Sequence, residues 1–225
     1  YDYIAHGGGY WLGLGFARDF AGNNRRLGAT LRAYDGGERT QTRFQRFACG
    51  FGCHYSLGFC FDDEGNNTYD GTIMGLGMGW DCSAGVLCDF AGNNHYLATG
   101  GLTQGTGAQA SLGVLFNYKG GNVYEGYGQG WANPSISYHD LPQCGGNFSF
   151  VIDYGGKNTY GCGASNNSVT QRGDVGGFLI SRLNRDDLAQ EEAAKRAQAK
   201  PAAVQQGANQ KKPAGAKPRT PVPGP

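Results

Sequence analysis

Gly58-Phe59-Cys60-Phe61-Asp62-Asp63-Glu64-Gly65-Asn66-Asn67-Thr68-Tyr69 returns 27 residues later as Gly85-Val86-Leu87-Cys88-Asp89-Phe90-Ala91-Gly92-Asn93-Asn94-His95-Tyr96. Self-similarity of this kind decides architecture before any local propensity does. With the Asp as marker, further copies fall at Asp19, Asn117 and Asp153, and a degenerate one at Ser181. The steps are 43, 27, 28, 36 and 28 residues, so a period of about 28 is interrupted twice. The columns around the marker agree. Gly stands four residues before it at Gly15, Gly58, Gly85, Gly113 and Gly177, with Ser149 in the fifth copy. An Asn follows at Asn24, Asn67, Asn94, Asn122 and Asn158, and a Tyr closes the segment at Tyr69, Tyr96, Tyr124 and Tyr160, with Arg26 in the first copy.

A unit of 28 residues with apolar runs this short cannot bury its own face and must stack on its neighbours. The runs are Val- and Phe-rich and bounded by Gly, Asn and Asp, which predicts strands and turns. Gly is 41 of 225 residues, without the every-third spacing of collagen. The fold expected is all-β: a right-handed parallel β-solenoid of about six coils over residues 1–185, with insertions at about 25–48 and 131–145. Stacking then makes Asn67, Asn94, Asn122 and Asn158 one ladder and Tyr69, Tyr96, Tyr124 and Tyr160 another, with side chains of each column pairing along the axis. Corner glycines supply positive φ.

The rest of the chain differs in kind. Residues 186–200 read as a short helix with acidic groups first and basic groups late, suited to cap the stack. Residues 201–225 are Pro-, Ala- and Lys-rich with no aromatic residue, and a disordered tail is expected. Basic and acidic groups number 12 and 14 over residues 1–185, and 7 and 4 over 186–225. No apolar run approaches the ~20 residues of a membrane span. Tyr1-Asp2 matches Tyr69-Asp70, so the chain reads as cut from a longer array. Seven cysteines suggest two or three disulfides in an exported protein, with at least one thiol left over.

The marker segment resembles the Gly-Asn-Asp-x-Tyr repeat of secreted bacterial proteins and is distantly similar to the Gly-Gly-x-Gly-x-Asp-x-apolar nonapeptide of calcium-binding repeats-in-toxin β-solenoids. The match runs through Asp-x-x-Gly-Asn-Asn-x-Tyr at 62–69 and 89–96, and Asp-x-x-Gly-Lys-Asn-x-Tyr at 153–160. The resemblance implies an exported protein and places calcium ligands at Asn67 and Asn94, where this chain has an amide instead of the family's carboxylate. Stacking itself would put Asp62, Asp89 and Asp153 in one column. Adjacent carboxylates repel unless hydrogen-bonded or bridged, which structural Ca2+ between coils would achieve.

Candidate ligand residues lie in the insertions, because functional groups concentrate on loops held by a rigid scaffold. Trp131, Tyr138, His139 and Asp140 bring an aromatic surface, an imidazole and a carboxylate together. Arg39, Arg43 and Arg46 belong to a loop of net +4 over residues 25–46, suited to an acidic glycan or other anionic cell-surface polymer. It has no signature of specific nucleic-acid recognition. His6, His54 and His95 fall in no catalytic motif. The function expected is a non-enzymatic exported or cell-surface scaffold, whose open ends favour coaxial self-association. The alternative is a carbohydrate-active β-helix enzyme, a lyase or hydrolase, or a binding module acting on acidic polysaccharide.

Overall fold

The computed structural model describes residues 6–26, 30–32, 41–43, 47, 49–71, 74–98, 100–137, 147–174 and 176–198. The chain is mostly β, with parallel sheets and one helix. The first copy contributes β1 (Gly9–Tyr10), β2 (Leu14–Asp19) and β3 (Arg25–Arg26); a hairpin of β4 (Thr30–Arg32) and β5 (Gln41–Arg43) follows. The second copy contributes β6 (Gly52–Cys53), β7 (Leu57–Asp62) and β8 (Thr68–Asp70), and the third β9 (Gly79–Trp80), β10 (Ala84–Asp89) and β11 (His95–Leu97). The fourth gives β12 (Gly107–Ala108), β13 (Leu112–Asn117) and β14 (Val123–Tyr124). The fifth gives β15 (Phe148–Tyr154) and β16 (Thr159–Tyr160), the last β17 (Val169–Gln171) and β18 (Gly177–Arg182), and the helix α1 spans Arg185–Gln198.

Equivalent strands of successive copies pair with one another. The sheets run β1-β6-β9-β12, β17-β18-β15-β13-β10-β7-β2 and β16-β14-β11-β8-β3, and none closes on itself. Within these three sheets pairing is parallel except at β17, which meets β18 antiparallel, and the separate β4–β5 hairpin is antiparallel too. The register is the one the repeat predicts. Asp19 pairs with Asp62, Asp62 with Asp89, Asp89 with Asn117, Asn117 with Asp153 and Asp153 with Ser181. The marker column and the residues just before it are therefore rows across the seven-stranded sheet, and the Tyr column is a row across the five-stranded one.

Two glycine columns act by different means. Gly92 has a φ of 105° and sits where a Cβ would enter the carbonyl of Gly65 in the neighbouring copy. Gly85, one of the column four before the marker, is not at positive φ. A Cβ there would collide with the carbonyl oxygen of Met78, so the first sheet lies backbone to backbone against the second with no room for a side chain. Between these two sheets the turns Trp11-Leu12, His54-Tyr55, Asp81-Cys82 and Gln109-Ala110 hold both residues at φ of 45–59°. Such a conformation costs a non-Gly residue about 1–2 kcal/mol. It is offset by bonds between copies: His54 N–H donates to Trp80 O (3.2 Å) and Tyr55 N–H to Asp81 O (3.1 Å), and the other turns repeat the pattern.

The main core lies between the inward face of the seven-stranded sheet and the tyrosine column. It joins Cys60, Leu87, Leu115, Val151 and Leu179 to Tyr69, Tyr96, Tyr124 and Tyr160. A second cluster of Phe51, Cys53, Met78 and Ala108 forms beside the first sheet. The expected disulfides are corrected here: Cys49, Cys53, Cys60, Cys82, Cys88 and Cys162 are free thiols, and Cys144 lies outside the described residues. Cys49 and Cys53 are core side chains instead of loop crosslinks, Cys60 is a buried strand residue of the core, and burial pushes the Cys53 and Cys60 thiols up to about 12. The helix starts one residue earlier than expected. Asn184 Oδ1 caps it by accepting from Asp187 N–H (2.9 Å), and Asp187 Oδ2 takes the N–H of Gly156 (2.9 Å), a corner glycine of the fifth copy. Residues 1–188 form one compact unit and 189–225 a second. The expected tail, 201–225, lies outside the described residues.

Candidate functional site

The repeated polar residues meet inside the stack. Asp62, Asp89, Asn117 and Asp153 are fully buried, on the inward face of the seven-stranded sheet. Asp89 and Asp153 are each reached by the Asn and Tyr of the preceding copy. Asp89 Oδ2 accepts from Tyr69 Oη (2.7 Å) and Asn67 Nδ2 (3.0 Å), and Asp153 Oδ2 accepts from Tyr124 Oη (2.6 Å). At Asn117 the polarity reverses and Nδ2 donates to Tyr96 Oη (3.0 Å). The first copy has no Tyr, and Arg26 takes its place with a hydrogen-bonded ion pair to Asp62 (2.9 Å) while lying 5.9 Å from the Tyr69 ring centre. The tyrosine rings stack at 4.7–5.1 Å.

The asparagines do not pair side chain to side chain, as the ladder reading expected. Asn67 Oδ1 accepts the backbone N–H of Asn24 in the copy before, while Asn67 Nδ2 donates to Asp89 in the copy after. Asn94, Asn122 and Asn158 accept in the same way from the backbone N–H of Asn67, Asn94 and Asn122 (2.7–2.9 Å). The other Asn of the doublet works in the opposite direction: Asn66 N–H donates to Asn23 Oδ1 and Asn93 N–H to Asn66 Oδ1 (2.7–2.8 Å). A backbone amide outranks a second amide side chain here because a buried N–H without a partner is costly.

These contacts bear on calcium. Neutral phenol and amide donors stand between the carboxylates of Asp62, Asp89 and Asp153, and Asn117 splits the column. No group of three His, Cys, Asp or Glu side chains able to hold a metal occurs among the described residues. Burial pushes the carboxyl of Asp89 up to about 6 and that of Asp153 up to about 7. Burial thus disfavours the ionised form of these two carboxyls, against the carboxylate cage a bound cation would need.

Of the expected ligand residues, Trp131 is half-buried beside Gly173, which leaves space for its indole. Arg172 anchors this corner by donating Nε to Gln129 O (3.2 Å) and a terminal nitrogen to Tyr127 O. Tyr138, His139, Asp140, Arg39 and Arg46 lie outside the described residues, and Arg43 is described by its backbone in β5. The structure brings together a set that sequence spacing does not group: His54 Nδ1 meets Asp81 Oδ2 at 2.6 Å, Ser137 Oγ donates to Asp81 Oδ1, and the Trp11 ring stacks 4.5 Å above His54. The serine is bonded to the carboxylate that the imidazole also meets, so the set joins residues of neighbouring turns.

The outward face of the seven-stranded sheet is the other feature. Strand alternation sends one column out as Leu14, Leu57, Ala84, Leu112 and Phe148, and a second as Phe16, Phe59, Val86, Val114, Phe150 and Phe178. A third is Arg18, Phe61, Cys88, Phe116, Ile152 and Ile180. Its one charge, Arg18, is neutralised by a bidentate bond to Asp63 (2.8–3.2 Å). Aromatic rings run along it, with Phe59 and Phe61 stacked at 6.3 Å and Phe150 and Phe178 at 6.1 Å. No helix among the described residues is long and apolar enough to cross a membrane. No family model matches the chain, and no curated protein or solved structure is significantly similar to it.

Proposed function

We propose that this chain is a right-handed parallel β-solenoid of about six coils serving as a non-enzymatic, exported or cell-surface scaffold. One observation carries the reading. The repeated polar residues, Asp, Asn and Tyr, are spent on hydrogen bonds from one copy to the next. Residues spent on stacking give stiffness along the axis and leave the outer surfaces free to vary. Export rests on the resemblance of the repeat and not on cysteine chemistry, since the six described thiols are free. The acidic-glycan partner rests on Trp131 and the basic insertion.

Two measurements test this. Removing residues 84–111, one whole repeat, joins Ser83 to Leu112, the register partner of Ala84. A stack of nearest-neighbour coils stays folded with a lower unfolding midpoint, and complete loss of β-sheet circular dichroism would overturn the architecture. The second is an assay of the full chain with soluble acidic polysaccharide. The scaffold reading expects no cleavage. Release of reducing or unsaturated ends in proportion to protein would replace it with the enzyme reading.

A further inference from the structure

The outward face of the seven-stranded sheet is a contiguous, largely apolar surface with its largest side chains exposed. Six strands about 4.8 Å apart, each with three outward residues about 6.8 Å apart, make a flat area of about 500 Å2. Soluble monomers ordinarily expose contiguous apolar patches of a few hundred Å2. Leu14, Phe16, Leu57 and Phe148 on this face are 46–71% exposed, and Phe20, Phe90 and Tyr118 on its margin are 36–67% exposed. At ~200 Å2 for each free side chain, these seven present roughly 700 Å2. The half-buried residues between them bring the face to the ~800 Å2 per partner of an ordinary specific interface.

The occupant follows from chemistry. The C-terminal part of the chain is poorly suited to cover the face: α1 offers Leu188 and alanines, and residues 201–225 hold Val204 and Val222 as their only branched apolar residues. A polysaccharide needs hydrogen-bond partners for its hydroxyls, and the middle of the face has none to give. An identical face has the same strand pitch. Its side-chain ridges repeat every 4.8 Å and fit the grooves between equivalent columns over the whole length.

We propose that the outward face of the seven-stranded sheet packs against the same face of a second copy of this chain, two sheets about 10 Å apart in an isologous pair. The pairing rests on the scaffold reading and names its partner. The Arg18–Asp63 bond lets the one charge in the face enter the interface already paired.

The test is sedimentation equilibrium of the full chain with circular dichroism on the same samples. The native sequence is expected to be a dimer at micromolar concentration. Phe16→Lys/Leu57→Lys/Phe148→Lys is expected to raise its dissociation constant by at least ~100-fold with the dichroism unchanged, whereas Val123→Lys on the third sheet leaves the dimer intact. Hydroxyl-radical footprinting of the native chain supplies a readout that needs no variant: oxidation of Phe148 and Phe16 falls as protein concentration rises. A native chain that stays monomeric to about 100 μM with intact β-sheet dichroism overturns the pairing and leaves the scaffold. So does protection that appears on another face. A chain without β-sheet dichroism overturns the stacked-repeat reading itself.

Discussion

The two faces of the seven-stranded sheet invert the usual arrangement. In most half-buried sheets the apolar face turns inward and the polar face meets water. Here the inward face carries a glycine, one aliphatic or thiol residue and a marker Asp or Asn in each of copies two to four. The outward face carries Phe, Leu, Val and Ile. The inside is held by close backbone approach and by hydrogen bonds from copy to copy, with only a thin apolar seam between strand and tyrosine column. What is buried is thus decided by which groups can be satisfied by an identical neighbour, and hydrophobicity decides only what the outside can adhere to.

The strongest way to break that contrast is to place one extra carbon on each side. Gly85→Ala puts its Cβ into the Met78 carbonyl and is expected to abolish folding, read as loss of β-sheet dichroism, while Val86→Leu on the outward side leaves the midpoint within a few degrees. Next in size is the first copy. Arg26→Met strands the buried Asp62 carboxylate and is expected to cost about 3–5 kcal/mol in urea unfolding. Arg26→Tyr restores the residue that the later copies use and recovers much of that loss.

The buried acids sharpen the comparison through pH. Asp89 and Asp153 titrate higher in the folded protein than in the unfolded chain, so their protonated forms stabilise the fold. That contribution is complete below pH about 4 and is lost as pH rises through 6 to 7. Asp153→Asn, which copies Asn117 into the fifth repeat, is expected to stabilise by about 2–4 kcal/mol at pH 8 and by little at pH 4. Thermal midpoints at the two pH values decide it, and an equal shift at both would show that the carboxyl is ionised throughout. Tyr124→Phe removes a single donor to Asp153 and is expected to cost about 1–2 kcal/mol. The smallest effect belongs to the outside: Phe16→Gln, under dimer-free conditions at low protein concentration, is expected to change unfolding free energy by less than about 1 kcal/mol.

Much of this was legible in the chain. The pairing of Asp62 with Asp89 and of Tyr69 with Tyr96 follows from the repeat alone, as do the two interruptions. The bonding of the columns was not, because a column says which residues are neighbours and nothing about which atoms face each other. The asparagines were expected to pair with one another, yet each bridges to a backbone amide on one side and a carboxyl on the other. Arg26 read as part of a basic loop and is instead a buried counter-ion. The cysteines were expected to form disulfides, yet Cys49 and Cys53 are free thiols in separate core clusters.

By itself the sequence determined the period, the columns and the register, because a repeated pattern has one alignment that satisfies all copies at once. Tertiary structure alone decided which side of each strand faces inward. A period-two strand offers both faces equally, and the choice falls where glycine lets a second backbone approach and where Tyr and Asn can reach the carboxyl. That choice turns the aromatic residues outward and leaves the molecule a surface to be covered.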